Sequence, residues 1–173
     1  GHSQAEYVAE RLRRIHDAAD GNYMGLRLDT LISSELSRAI QTADTIAPHL
    51  FDPVRSRTAD LNEGRPCLPE PPPSHMSHYN NAHGDSERIE RACRQICARP
   101  PPEQVGDTTD VVVCHANVIR YVVCRALQLP PEAWLRFSLP HASITHLVIR
   151  SNGNASIRAL GDAGHLPADM VTS

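Results

Sequence analysis

The chain reads as an α/β protein, a three-layer α/β/α sandwich with a mostly parallel sheet. Three observations predict this. Segments with helically spaced apolar residues alternate with short β-branched runs over most of the 173 residues, the order that builds parallel sheets covered by helices on both faces. The run Asp-Val-Val-Val-Cys at 110–114 is apolar without alternation, as suits a strand buried on both faces. No internal repeat or change of composition divides the chain, so a single domain over residues 1–173 is expected.

The elements follow in order. Residues 4–17 place Ala5, Val8, Leu12 and Ile15 at helical spacing beneath an arginine-rich outer face. Asp20, Gly21 and Asn22 stop that helix and turn the chain. Residues 26–33 read as a strand carrying Leu28, Leu31 and Ile32, and 35–49 as a second amphipathic helix with Pro48 near its end. A short strand is expected at 54–58. From 63 to 84 the chain holds Pro66, Pro69, Pro71, Pro72 and Pro73, which forbid a helix. The same stretch contains His75, His78, Tyr79 and His83. A loop of this length is a lid or binding loop, or else unstructured. Helix returns at 86–99, the strand at 110–114 leads into a helix at 117–127, and 130–137 is a short helical connector. Residues 143–150 and 155–160 flank Ser151-Asn152-Gly153-Asn154 as a hairpin, and loop follows from Gly161.

Composition narrows the function classes. An apolar fraction of 40 % and a charged fraction of 21 % are ordinary for a globular domain with a core. Aromatic residues make up only 4 %, which argues against a stacking surface for bases or sugars. A net charge of -3 supplies no basic field, so no nucleic-acid partner is expected. No apolar run approaches the roughly 20 residues of a membrane helix. No membrane contact is expected from this segment, although an upstream anchor is compatible with it. The five cysteines (67, 93, 97, 114 and 124) have no framework spacing and point to reduced thiols in a reducing compartment. Cys93 and Cys97, one helical turn apart, read as two packed small residues rather than a metal half-site.

Three segments carry chemistry. In Val-Val-Val-Cys-His-Ala-Asn-Val-Ile-Arg-Tyr, His115 ends a strand and precedes a helix. Ligands of open α/β sheets bind beyond the carboxyl ends of strands, and unpaired amides at a helix start favour an anion. In Ile-Ser-Ser-Glu-Leu-Ser-Arg-Ala-Ile-Gln-Thr, Arg38 opens a helix after Ser33 and Ser34, where a guanidinium can grip phosphate with two parallel bonds. In Leu-Asn-Glu-Gly-Arg-Pro, Glu63 precedes the proline-rich loop and can act as a general acid. Taken singly, each has a bland reading: a strand cap, an exposed helical arginine, a surface glutamate.

Taken together, in this order and at these separations, the three segments resemble the histidine phosphatase (phosphoglycerate mutase) superfamily. The run from Glu63 to Pro73, His115 to Tyr121, Trp-Leu-Arg-Phe-Ser-Leu at 134–139, Ser-Ile-Thr-His-Leu-Val-Ile-Arg at 143–150 and Gly-Asp-Ala-Gly-His-Leu-Pro at 161–167 bring it nearest to that superfamily's mitochondrial serine/threonine protein phosphatases. The resemblance implies a phosphoglycerate mutase-like fold and a phosphohistidine mechanism with no cofactor and no metal. It implies that Arg38 binds phosphate and that Glu63 donates a proton to the leaving oxygen. His115 then stabilises the transferred phosphoryl group and binds phosphate, with Asn117 and the Ala116 amide contributing to the pocket. Phosphorylated proteins are the implied substrates, and a homodimer or larger homo-oligomer the implied assembly.

The family opens with a strand ending in Arg-His, whose histidine is the nucleophile. Here His2-Ser3-Gln4 is similar only superficially. Gly1, Gln4 and Ala5 match the family's Gly-x-x-Gln-Ala at the start of the following helix, so the first strand and the Arg-His segment are expected to be missing from this sequence and His2 to be exposed. The domain is then N-terminally incomplete. A catalytically inactive, phosphatase-like scaffold or partner-binding domain is the competing reading. A metal site built from His75, His78, His83 and Asp85 is a third.

Overall fold

A computed structural model of the chain describes residues 2–17, 27–50, 52–73 and 84–173. It is an α/β fold in which two helical layers sandwich a parallel sheet. The first helix, α1 (His2–Asp17), buries Ala5, Val8, Ala9 and Leu12, the stripe its apolar spacing dictates. Strand β1 (Thr30–Ser34) is the middle of three parallel strands. It pairs with β2 (Val54–Thr58) from Thr30↔Val54 to Ser34↔Thr58, and with β3 (Asp110–Val113) from Thr30↔Asp110 to Ser33↔Val113.

Strand alternation divides the core in two. Leu31 packs with Val8, Leu12 and Ile46 beneath α1 and α2 (Ser37–Ile46), joined by Val111 and Val113. Ile32 and Val112 point the other way, into Ile89, Cys93, Val118 and Val122 of α3 (Asp85–Ile96) and α4 (Ala116–Ala126). The hairpin β4 (Ile144–Ile149) and β5 (Ala155–Asp162) forms a separate antiparallel pair whose Leu147 packs into the second core. Its turn places Gly153 at φ +86°, a conformation that favours glycine.

Several boundaries differ from the sequence expectation for local reasons. The second helix starts at Ser37 rather than 35, because the Glu35 amide donates to Asn62 Oδ1 (2.9 Å) and the Leu36 amide to Ser34 Oγ (3.1 Å). Both residues stay out of the helix as a result. Pro48 lacks the N–H to continue it, so 47–49 tighten into a 3-10 turn. The third helix ends at Ile96, short of 99, since Arg99 precedes Pro100. Strand β5 runs on to Asp162, past the expected 160, and the tail contains a 3-10 turn at Ala168–Met170. The connector after α4 is a 3-10 helix, Pro131–Arg136. Strand β1 begins at Thr30; Leu26 and the turn at Asp20, Gly21 and Asn22 lie outside the described residues.

One expectation is corrected. The 110–114 strand is covered by helices on both faces, yet Val111, Val112 and Val113 are only half-buried. Strand β3 is the edge of its sheet, and it opens onto a cleft of about 2790 Å³ lined also by α1, α2, α4 and β4. At the other edge, β2 is polar: Arg55 and Arg57 pair with Asp44 of α2 (Arg57 at 3.7 Å), the charged guarding typical of an exposed strand edge.

Candidate active site

All three strands of the parallel sheet point their carboxyl ends the same way, and the chemistry collects there. His115 follows β3 and stands immediately before α4, with extended backbone (φ -125°, ψ 155°). Arg38 lies in the first turn of α2, after β1. Glu63 follows β2 and the 3-10 turn Ala59–Leu61. Arg38 Nε donates to His115 Nδ1 at 3.2 Å. Glu63 Oε2 is 3.7 Å from Arg38 Nη2 and 3.6 Å from His115 Nδ1. The Asn117 side chain does not join this triangle. Its Nδ2 donates to the Gly64 carbonyl (3.1 Å), tying the Glu63 loop to the start of α4. The cleft reaches Arg38, Glu63, His115 and Ala116.

Electrostatics set the resting states. His115 is 5 % exposed. Burial, with the positive charges of Arg38 and Arg88, pushes its ring down to about 4, so it is neutral at pH 7. Burial raises the Glu63 carboxyl above its ordinary value, while Arg38, the amides of Asn117 and Gly64, and Arg120 pull it back. Those amides favour the charged form without closing a bond on Oε1, which is buried and has no hydrogen-bond partner among the described residues. The site therefore pairs a carboxyl biased toward holding a proton with a guanidinium and a neutral imidazole. The amides at the start of α4 lie alongside, that of Asn117 acting on the Glu63 carboxyl. This set can bind an anion and deliver a proton to it.

Sequence reading passed over the residues that hold this triangle. Arg88, one of several arginines on α3, is the hub. Its Nη1 donates to the carbonyls of Ala59 (3.1 Å), Asp60 (3.2 Å) and Asn62 (2.6 Å), and its Nη2 to Glu63 O (3.3 Å) and Asp85 Oδ1 (2.7 Å). Gly64 exists for the same reason: a Cβ there would lie 2.5 Å from Arg88 Nη2 and 2.7 Å from the Asp85 carboxylate. The available signal was a Glu-Gly pair needing close backbone approach. Replacing Arg88 with methionine should remove a charged donor from four carbonyls and cost about 1.5–3 kcal/mol, with Glu63 losing its fixed position. Urea unfolding checks the first part; a midpoint equal to the unmodified chain's refutes it. Ser34, Asn62 and Arg120 were also passed over. Arg120 Nη1 donates to Asn117 Oδ1 (3.3 Å), and its buried Nε has no partner among the described residues.

Other expected residues are not brought here. His2 opens α1, its side chain 81 % exposed, beside Glu6 (3.9 Å) and Thr45 (3.5 Å), far along α2 from Arg38. His75, His78, Tyr79 and His83 lie outside the described residues. Among the described residues no cluster of three His, Cys, Asp or Glu side chains is arranged to hold a metal ion. Cys93 is buried in the second core and Cys97 caps α3 half-buried.

The sequence profile of the histidine phosphatase superfamily (branch 1) matches residues 69–162. The serine/threonine-protein phosphatase PGAM5, mitochondrial, of Rattus norvegicus is 44 % identical over 173 residues, covering 99 % of this chain and 57 % of its own length. The Drosophila willistoni protein of the same name is 42 % identical, covering 100 % of this chain and 57 % of its own length. This chain thus spans a little over half the length of the curated relatives it matches. A phosphoglycerate mutase from Plasmodium falciparum superposes with a TM-score of 0.67 at 28 % identity, covering 100 % of this chain and 90 % of its own. An Entamoeba histolytica phosphoserine phosphatase in complex with 3-phosphoglyceric acid superposes with a TM-score of 0.68 at 18 % identity, covering 96 % and 84 %, a likeness of fold. With the profile matching more than half of its residues and the fold agreeing, this chain belongs to the histidine phosphatase superfamily.

Proposed function

We propose that the chain carries the anion-gripping and proton-donating part of a protein serine/threonine phosphatase that works through a phosphohistidine. The convergence of Arg38, His115 and Glu63 at the carboxyl ends of the parallel strands carries this reading. Arg38 holds two phosphoryl oxygens. His115, protonated once the anion is bound, donates to a third. Glu63, its carboxyl raised by burial, gives its proton to the leaving oxygen as the nucleophile bonds to phosphorus. The resulting carboxylate then takes a proton from the water that hydrolyses the phosphoenzyme. Among the described residues no second histidine touches this triangle. We place the nucleophile on an extended segment seated in the cleft between β3 and β4, whose lining continues to His115. Phosphorylated proteins as substrates, mitochondrial placement and assembly as a homodimer or larger follow the relatives' names and the family resemblance; no cofactor is called for.

Phosphate release from a phosphothreonine peptide tests the reading, with vanadate and His115→Ala as controls. Turnover abolished by both supports it. A folded chain that binds vanadate but never turns over, even when a strand ending in Arg-His is joined ahead of it, supports the inactive scaffold instead. Where turnover is found, Glu63→Gln should slow an alkyl phosphate at least about tenfold more than an aryl phosphate, because only the poorer leaving group needs the proton. Equal losses on both would remove Glu63 from the acid's role.

A further inference from the structure

The hydrogen bonds behind His115 leave one consistent arrangement of protons. The Glu35 backbone N–H is a fixed donor, so the Asn62 atom facing it at 2.9 Å is an acceptor oxygen. That same Oδ1 is 2.8 Å from Ser34 Oγ, and only the serine has a hydrogen to share. Ser34 thus donates to Asn62. Its oxygen already accepts the Leu36 N–H at 3.1 Å, and its remaining lone pair faces His115 Nε2 at 2.9 Å. A hydroxyl whose hydrogen is committed can only accept there, so Nε2 carries the hydrogen. At the other side of the ring, the Arg38 Nε–H points at Nδ1 from 3.2 Å, which requires a lone pair on Nδ1.

We infer that Ser34 and Asn62 are positioning residues that lock His115 as its Nε2–H tautomer and present Nδ1 alone to an arriving anion. The hydroxyl of the lock is fully buried, Ser34 being 0 % exposed, and Asn62 behind it is half-buried. Arg38, by contrast, is 62 % exposed along its side chain and is able to swing from Nδ1 to a phosphoryl oxygen. When it does, the contact with Ser34 is the hydrogen bond that still orients the ring, Glu63 Oε2 standing off Nδ1 at 3.6 Å. A monoanionic phosphoryl group then gives its proton to Nδ1: the O–H bond breaks, an N–H bond forms, and the resulting dianion sits against an imidazolium. Nε2–H stays bonded to Ser34 throughout, so charging the ring requires no rotation of the hydroxyl and no break at Asn62. The reverse wiring would set Nδ1–H against the Arg38 N–H and force Ser34 to turn before the ring charged. A charge-stabilising group that needs no reorganisation is the arrangement that electrostatic catalysis rewards. The inference deepens the phosphatase reading and rests on it only for the identity of the anion.

Nitrogen-15 NMR of the imidazole at pH 8, where the ring is neutral, tests it directly; a His115→Ala spectrum assigns the signals. Arg38→Met isolates the lock by removing the other constraint on Nδ1. This variant should keep a single Nε2–H form. Adding Asn62→Ala frees the Ser34 hydrogen, and the Nδ1–H population should rise roughly tenfold, the effect of one hydrogen bond. Asn62→Asp, which keeps the acceptor oxygen, should restore the single form. Ser34→Ala in the Arg38→Met background, a deletion of one buried oxygen, should repeat the rise seen with Asn62→Ala. A mixed tautomer in Arg38→Met alone would assign the control to Arg38, and a single tautomer surviving both Asn62→Ala and Ser34→Ala would overturn the lock. Phosphate release plays no part in these readouts, so loss of the phosphatase reading and loss of this one are told apart.

Discussion

Arg38→Ala should weaken vanadate binding roughly 10- to 150-fold, the range for losing a charge-assisted hydrogen bond of about 1.5–3 kcal/mol. The effect also carries a signature in pH. Burial is the first cause of the low His115 titration near pH 4, and the Arg38 charge is the next. Removing the guanidinium lets the ring take a proton more readily, so its midpoint should move up from about 4 toward the ordinary histidine value of 6.5. At pH 8 the variant's ring is still neutral and the whole loss of affinity is visible. Toward pH 5 the newly protonated ring recovers part of the anion's attraction, and the gap between variant and parent should narrow. Isothermal titration with vanadate at both pH values reads this out, and proton NMR follows the ring. Equal vanadate affinity for variant and parent at pH 8 takes Arg38 out of the site. Arg38→Lys should sit between the two, since it keeps the charge but loses the planar fork.

What the sequence made legible were features set by neighbours along the chain. The apolar stripe of α1, the Val-Val-Val run of β3 and the Asn-Gly turn between β4 and β5 each follow from local periodicity or turn chemistry, and the structure has them where expected. Arg38, Glu63 and His115 were singled out by the joint pattern of three segments that resembles the family, and the fold brings them together because each follows a parallel strand or its turn. The supports were hidden because they are relations across sequence. Arg88 is 25 residues from the Glu63 carbonyl it holds, and Ser34 is 81 residues from His115. In a linear reading Arg88 is one basic residue on an amphipathic helix, and Asn62 is a polar turn residue. Their roles appear only when β1, the 59–63 turn and α3 are packed side by side. Half-burial of β3 was missed for a related reason: an apolar run reports what covers the faces of a strand, not whether its edge has a neighbour.

The largest stability loss is expected from Trp134→Ala, and it extends to the loop that begins at Glu63. Trp134 is 1 % exposed, and its Nε1 donates to the Cys67 carbonyl at 3.1 Å. The proline-rich stretch is clamped to the same 3-10 segment by Glu70 N to Glu132 O (3.0 Å) and by Arg136 Nη2 to Glu70 O (3.3 Å). Prolines cannot hold this stretch by regular backbone pairing, because they lack the donors. The buried indole thus supplies one of three hydrogen bonds that tie the described part of the loop beginning at Glu63 to this segment. Truncating a buried tryptophan to alanine costs about 3–5 kcal/mol, which for a domain of this size lowers Tm by roughly 6–20 °C. Trp134→Phe keeps most of the apolar body and loses the N–H, so it should cost only about 1 kcal/mol. Val105→Ser, at a side chain 99 % exposed, should stay within about 0.5 kcal/mol. Calorimetry orders the three. Below its melting point, Trp134→Ala should also be cut faster by protease between residues 64 and 73, whereas Val105→Ser should not. A Trp134→Ala protein melting within about 2 °C of the parent would mean that Arg88 and Asn117, acting from the other side, hold the Glu63 loop without the indole.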